Sequence, residues 1–502
     1  MPPARDAGEP LKKERDSGQK MKVLVLSPPT SATQNVVRDL IYGCWCKGKR
    51  IAGAKSPPTN LLYVATMLKQ QGHDVRLLDA TAEYKTAEYV KEIIPQYDAV
   101  VESTSTMSFT EDADFLKELK AINPRLTTMM FGSHVTFNPV DSLNYAKELD
   151  IVVRKEPDLV VRDVVNALER GESWKEVKGI SYREDGRLKQ NPDAPWIEEL
   201  DRLPIPDRSL LPAGVDYFNP IVKRIPYTTA MSSRACPAEC SFCTVPFFYG
   251  VRVTCRSANN VFEEMRYLQE RGFREVWFRD ETFTVYGKRN RELYAMLGKE
   301  KVDITWICNA RVNTVTREML QQMKRAGCHL IKFGVESGVQ SILDNVSKGA
   351  TLQQARDAFK LCREVGIDTH AHMMLGMPGD TRETVEQSIR FVKSLRPSTV
   401  TFGICTPYAG TEMFFQVAKE HPEIRDGTGL NLKNLHEKAF FNQYFTDLGA
   451  EELEAYLHRA YRDFYFRPGY VLERFSRVNS VEELRRLVMA GTQVFGFGMD
   501  WE

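Results

Sequence analysis

Short apolar runs alternate with amphipathic stretches twice along this chain, and that alternation restricts the fold more than any other feature. The first series places strands at 23–26, 75–78, 99–103, 128–132 and 151–153, with helix-patterned segments around 61–71, 88–95, 112–122, 140–149 and 158–169. Strands spaced by helices form βαβ units and a mostly parallel sheet. The fold class is therefore α/β, opening with a Rossmann-like parallel sheet over 21–169. Ligands of such sheets sit outside the carboxyl ends of the strands. Those ends read Ser27-Pro28-Pro29, Ser103-Thr104-Ser105, Gly132-Ser133-His134 and Arg154-Lys155-Glu156, small and polar where a large ligand needs backbone access. The Gly-rich dinucleotide fingerprint is absent, so NAD is not the obvious occupant. Ordinary βα loops are the alternative.

Residues 170–226 carry a hairpin pattern, 179–182 and 187–190 about Glu184-Asp185-Gly186, then a connector stiffened by Pro204, Pro206 and Pro212. The second series has strands at 228–232, 275–278, 305–308, 330–333, 369–374 and 399–404. These units fit a partial (β/α)6 barrel over 227–415 better than an eightfold one. Residues 416–502 form a C-terminal helical region. Its Leu453, Tyr456, Leu457, Ala460, Tyr461, Phe464 and Tyr465 make one apolar stripe at helical spacing. With Tyr444, these aromatics are expected to close the barrel mouth. Residues 1–20 carry almost nothing apolar and read as a disordered tail. Met21 opens the first strand and is an alternative to Met1 as the start.

Composition narrows the function. Lys+Arg 68 against Asp+Glu 67 gives a net charge of +1, without the basic footprint expected for nucleic acid. No stretch approaches the ~20 apolar residues of a membrane span, and the first residues lack a signal peptide's apolar run. Ten cysteines in 502 residues are too sparse for a disulfide scaffold, so a cytoplasmic protein is expected.

The chemistry concentrates after the first strand of the second series, in Cys236-Pro237-Ala238-Glu239-Cys240-Ser241-Phe242-Cys243. The spacing is C-x3-C-x2-C. Thiolates are the preferred ligands of iron–sulfur clusters, and so tight a loop can offer three sulfurs to one small cluster. Three ligands on four irons leave one iron open, the mark of a catalytic rather than a structural metal. Zinc is the competing reading, with Cys255 as the nearest fourth ligand, but no second spaced pair follows.

In this setting the motif, with Phe242 before its third cysteine, resembles the radical S-adenosylmethionine (SAM) superfamily. Five further landmarks fall in order: 278–284 after the second strand, Asn309-Ala310-Arg311 after the third, 333–338 after the fourth, and 374–379 and 406–411 after the last two. The resemblance covers about 226–415 and implies a 4Fe–4S cluster on Cys236, Cys240 and Cys243. The open iron would bind SAM, and one electron would cleave it to methionine and a 5′-deoxyadenosyl radical. It also implies that Phe242 packs near the adenine, while Asp280, Glu281, Arg311, Glu336 and Ser337 meet the methionine end or the ribose. A flavodoxin- or ferredoxin-type protein would deliver the electron.

A parallel α/β domain ahead of such a barrel is similar to the cobalamin-binding radical SAM enzymes, in the subgroup of the anaerobic Mg-protoporphyrin monomethyl ester cyclase and a hopanoid radical SAM protein. Two stretches carry the likeness: 130–136, where Phe131 replaces the first glycine of the usual Gly-Gly, and 150–157, where Lys155 replaces the glycine of Arg-Gly-Glu. Both changes add bulk where a cofactor would approach. The D-x-H-x-x-G motif for histidine ligation of cobalt is absent, so His134 is expected to act as a polar contact. Ser27, Thr104, Ser105, Gly132, Ser133, His134 and Glu156 are the candidate cobalamin contacts. A relic domain that kept the fold and lost the cofactor is the alternative. Cys44-Trp45-Cys46 reads as free thiols, unlike the three extra cluster cysteines of methylthiotransferase relatives. The resemblance implies methyl transfer to an unactivated carbon of a small-molecule or lipid substrate, with radical ring formation as the alternative and a zinc-stabilised binding module as the remote one.

Overall fold

Valine, leucine and methionine alternate through the first strands so that both faces of the sheet are apolar. Val23, Val25, Val101, Met129, Phe131 and Val153 pack on one side, and Leu24, Leu26, Val100, Met130 and Val152 on the other. A sheet buried on both faces needs helices on both, as a parallel arrangement provides. The computed structural model describes residues 20–30, 38, 54–421 and 442–476, with single positions 484, 487, 488, 491 and 492. The expected tail up to residue 19 and the Cys44-Trp45-Cys46 loop lie outside the described residues.

The first sheet has the order β2-β1-β3-β4-β5-β6-β7. Its strands are β1 Lys22–Ser27, β2 Asp74–Asp79, β3 Ala99–Ser103, β4 Thr127–Phe131, β5 Ile151–Val153, β6 Ile180–Glu184 and β7 Arg187–Gln190. The first five are parallel. The hairpin β6–β7 adds antiparallel to β5, so it extends this sheet rather than standing apart as a connector. The strand order reverses between β1 and β3, the topological switch point where such sheets bind ligands. Ser27 and Thr104 flank it.

The second sheet is six parallel strands in the order β15-β14-β13-β12-β11-β8. They run β8 Tyr227–Ala230, β11 Glu275–Phe278, β12 Thr305–Arg311, β13 Cys328–Glu336, β14 Asp368–Leu375 and β15 Thr399–Ile404; the short β9 Ser233–Arg234 and β10 Thr254–Cys255 pair beside the first strand's end. Residues facing the helices, such as Phe278, Trp306, Ile331, Phe333 and Met373, form one apolar layer. Alternate residues face the lumen, as period-two strands require.

Of the C-terminal helices, only the short Asn442–Phe445 lies at the barrel mouth, where Asn442 Nδ2 donates to the Cys405 carbonyl at 2.6 Å beyond β15 and Tyr444 and Phe445 pack on Phe414; the long aromatic helix does not. The helix Ala450–Tyr465 lies along β15, the edge of the sheet, and buries Leu453, Ala460, Tyr461 and Phe464 in the outer core. Tyr465 Oη accepts from the Val400 amide at 2.9 Å and donates to the Val400 carbonyl at 2.6 Å. Tyr461 does the same for Phe402, and Tyr470 donates to the Ser398 carbonyl. Tyrosine hydroxyls thus replace the missing neighbour strand and blunt an edge that would otherwise pair with another chain. Replacing Tyr461 and Tyr465 together by Phe orphans these backbone groups, and urea unfolding is expected to show a loss of about 2–4 kcal/mol. Among the described residues no helix is long and apolar enough to cross a membrane.

Candidate active site

Beyond β8 the chain turns through Ala235, a non-glycine residue in the left-handed region at φ +74°, and enters the cysteine loop. The loop is pinned on three sides. The Cys243 amide donates to the Cys240 carbonyl at 3.0 Å, the Ser241 amide to Val346, and the Met413 amide to the Ser241 carbonyl. Cys236 Sγ lies 3.3 Å from Thr282 Oγ1, and Arg311 Nη1 lies 3.6 Å from Cys240 Sγ. Burial pushes the Cys243 thiol up, and the neighbouring Cys240 and Cys236 add to it. A buried thiol beside two others is stable as a thiolate only with a cationic partner, which a cluster supplies. Cys255 belongs elsewhere, beside Tyr286 and Arg289. Among the described residues no three His, Cys, Asp or Glu side chains are set around a single ion.

The residues expected around SAM divide into two groups. Phe242, Arg311 and Glu336 gather at the cysteine loop. Glu336 adopts φ +66°, and its carboxylate accepts from Lys348 Nζ at 2.7 Å, passing over Gly334, where a Cβ would stand 2.3 Å from it. Lys348 also lies 5.8 Å from the centre of the Phe242 ring, and its carbonyl accepts from Arg311. Glu281 stands near enough to Tyr249 to raise its phenol further. Asp280 and Ser337 turn away from such a role. Asp280 is fully buried and accepts from the Ser232 amide at 2.7 Å and the Ser233 hydroxyl at 2.6 Å, bracing the approach to the cysteines. Ser337 shares its hydroxyl with Ser388, and a residue engaged there does not face the lumen.

At the other sheet, Gly132 stands at φ +139°, with an ideal Cβ 2.0 Å from the Thr104 carbonyl. Only glycine lets β4 and β3 end so close together. The Thr104 hydroxyl donates to Asp112, and Ser105 shares its hydroxyl with Ser108, so these two offer backbone rather than side chains. Ser133 and His134 open the helix Ser133–Phe137. His134 stacks on Phe109 at 4.3 Å, and burial pushes its pKa down to about 3. Its Nε2 is buried without a hydrogen-bond partner, as is Ser103 Oγ. Orphaned polar atoms at the switch point fit a ligand rimmed with amide groups, such as cobalamin. The bulk of Phe131 is absorbed by the sheet core, and Lys155, at φ +63°, leans to Asp193 at 2.7 Å. Neither obstructs the strand ends. Gly132→Ala is expected to lower stability by about 3 kcal/mol and abolish corrinoid retention, read from denaturant melts and from absorbance after desalting.

Glu156 sits at the junction of the two sheets. Arg234 Nη1 lies 2.6 Å from Glu156 Oε1 and 2.8 Å from Asp158 Oδ2, all three buried. Glu156 Oε2 accepts from the Ile197 amide at 3.0 Å. Ala235, Val245, Phe248 and Tyr249 share a core with Met129 and Phe131, with Cys236 and Cys243 at its margin. Phe137 meets Phe248 edge-on at 6.1 Å and fills the space beside Gly410, where a Cβ would stand 2.3 Å away. The loops at the carboxyl ends of both sheets therefore meet at the cysteines.

Residues 231–392 match the radical SAM superfamily and residues 51–165 match the B12 binding domain. An uncharacterized methyltransferase of Pyrococcus horikoshii is 33% identical over 453 residues, covering 89% of this chain and 93% of the relative. The chain belongs to the B12-binding radical SAM family. The anaerobic magnesium-protoporphyrin IX monomethyl ester cyclase of Rubrivivax gelatinosus is 30% identical over 380 residues, 73% of this chain and 67% of the relative. Among solved structures, the radical SAM methyltransferase TsrM of Kitasatospora setae, with cobalamin and a 4Fe–4S cluster bound, superposes with a TM-score of 0.68 at 14% identity, covering 95% of this chain and 99% of that one. OxsB, with aqua-cobalamin and SAM bound, gives 0.69 at 16% identity, over 96% and 72%. A B12-binding radical SAM enzyme uses a 4Fe–4S cluster, SAM and cobalamin.

Sequence reasoning missed Lys348, Thr282, Asp158 and the structural role of Arg234. Arg234 stands two residues before the motif, and Glu156-Pro157-Asp158 pairs two carboxylates; neither signal names the other. Lys348 carries no sequence signal, and Thr282 lies in the 278–284 stretch without marking its own role, since only the fold brings these loops to the cysteines.

Proposed function

We propose that this radical SAM enzyme transfers a methyl group to an unactivated carbon of a small-molecule or lipid substrate, drawing its electron from a flavodoxin- or ferredoxin-type donor in the cytoplasm. When bound, the cluster and SAM supply a hydrogen-abstracting radical and cobalamin supplies the methyl group. The observation that carries the reading is the junction, where the switch point of the first sheet and the cysteine loop share one packed core. In this reading Cys236, Cys240 and Cys243 hold the cluster. Arg311 and the Glu336–Lys348 pair orient the amino-acid end of SAM, whose amino and carboxylate groups match those charges. Phe242 lies against the adenine. Ser27, Ser133, His134 and the backbone around Thr104, Ser105 and Gly132 hold the corrinoid, while Glu156, Asp158 and Arg234 fix the two loops against each other. Phe137, Phe248 and Tyr249 keep water from the space between them.

The identity to the cyclase supports ring formation as a second reading. Methyl-labelled SAM separates the two. Label recovered in a product, with corrinoid retained after loading with hydroxocobalamin and desalting, is the expected result. Product without label would leave ring formation, and a protein retaining no corrinoid would overturn the cobalamin-dependent reading.

A further inference from the structure

Each of the three motif sulfurs has a hydrogen-bond donor of its own. The Thr282 hydroxyl oxygen lies 3.3 Å from Cys236 Sγ, Arg311 Nη1 lies 3.6 Å from Cys240 Sγ, and the Val245 amide donates to Cys243. The donors come from three places in the fold. Thr282 follows β11, Arg311 ends β12, and Val245 opens the short helix Val245–Phe248, so its amide has no acceptor within that helix. Arg311 also donates to the Lys348 carbonyl and is placed against SAM above. Thr282 is the neutral side chain of the three.

Thr282 is fully buried and is held from both sides. Two residues before it, Asp280 accepts from the Ser232 amide and from the Ser232 and Ser233 hydroxyls. That ties the end of β11 to the strand that runs into Cys236. Asn309 donates to the Asp280 carbonyl at 2.8 Å. On the other side Asn290 donates to the Phe283 carbonyl at 2.8 Å, and the Phe283 ring packs against Phe278 and Trp306. A donor pinned in this way loses little freedom in keeping its bond. Between a thiol and a hydroxyl either group can donate. A thiolate carries no proton, so once the Cys236 sulfur binds iron the Thr282 hydroxyl is the donor.

Hydrogen bonds to the sulfurs, net charge and solvent exposure set the reduction potential of an iron–sulfur cluster. One added electron brings a unit of negative charge that the sulfurs share, and a donor to a sulfur favours the form carrying it. We propose that Thr282, through its hydrogen bond to Cys236, raises the reduction potential of the cluster and eases the one-electron step that precedes SAM cleavage. The flavodoxin- or ferredoxin-type donor is oxidised by one electron as the cluster is reduced, and Thr282 keeps its proton throughout. The residue acts through Cys236 and not on the reacting atoms. The proposal rests on the radical SAM reading above and deepens it, naming a side chain that sets how readily the cluster takes its electron.

The test is a redox titration of the reconstituted full-length protein without SAM, with the reduced cluster followed by electron paramagnetic resonance. Thr282→Val removes the hydroxyl at nearly constant size, and Thr282→Ser keeps it. In Thr282→Val the ratio of reduced to oxidised cluster at a fixed potential is expected to fall at least about threefold. At 59 mV per tenfold, that is a midpoint lower by about 28 mV or more. Thr282→Ser is expected to restore most of the shift, which a merely structural role of the side chain would not do. If Thr282→Val takes up no iron and sulfide, Thr282→Ala reads the same fall. A midpoint unchanged by loss of the hydroxyl, or lowered equally in Thr282→Val and Thr282→Ser, overturns the proposal. Loss of the cluster from both Thr282→Val and Thr282→Ala also overturns it, since the hydroxyl would then serve assembly rather than potential. Failure of the radical SAM reading appears separately, as a wild-type protein whose iron and sulfide content shows no cluster before any potential is measured.

Discussion

Arg234→Ala is expected to lower the free energy of unfolding by about 3–5 kcal/mol, measured by urea denaturation. The substitution removes the cation between two buried carboxylates, Glu156 and Asp158, 2.6 and 2.8 Å away. Truncating one partner of a buried ion cluster leaves uncompensated charge in low dielectric, which costs far more than the cluster's net contribution. One carboxyl must then take up a proton or draw in water. The same change frees the strand that leads into Cys236, so iron and sulfide incorporation is expected to fall with stability. Combining Arg234→Met with Glu156→Gln and Asp158→Asn removes all three charges and is expected to recover most of the loss. That recovery separates an electrostatic origin from a purely steric one. Unfolding of Arg234→Ala at the wild-type urea midpoint would mean the junction contributes little to holding the two sheets together.

The βα alternation was legible because strand and helix periods impose themselves on sequence wherever one face is buried. All six barrel strands and the five parallel strands of the first sheet follow from it. The hairpin β6–β7 was legible too, but not that it joins the first sheet, because an edge pairing leaves no local signature. The same reason hid the role of Tyr461 and Tyr465. Helical spacing marks them as one face, yet which backbone groups they satisfy depends on β15 being an edge.

At the site, residues adjacent in sequence were legible and residues adjacent only in space were not. The three cysteines and Phe242 stand in one loop, so spacing alone groups them. Asp280 and Glu281 are neighbours in sequence, but Asp280 points back to Ser232 and Ser233 and leaves the mouth. The bulk of Phe131 and Lys155 crowds a ligand only if the side chains point toward it, and sequence does not say which way a side chain turns. Phe131 faces the sheet core, and Lys155 takes the left-handed backbone that a glycine would occupy, at a cost of about 1 kcal/mol.

The most direct test of the central claim is the yield of 5′-deoxyadenosine from anaerobically reconstituted protein given SAM and dithionite, for wild type and for Cys236→Ala, Cys240→Ala and Cys243→Ala. The three thiols meet in one pinned loop, so each sulfur is needed to hold a cluster with one open iron. The account predicts 5′-deoxyadenosine from wild type and a loss of at least about a thousandfold in every variant, with folded protein in each case, since removing a metal centre removes the chemistry outright. Wild-type yield in any one of the three variants, or a wild-type protein that assembles no cluster, would contradict it.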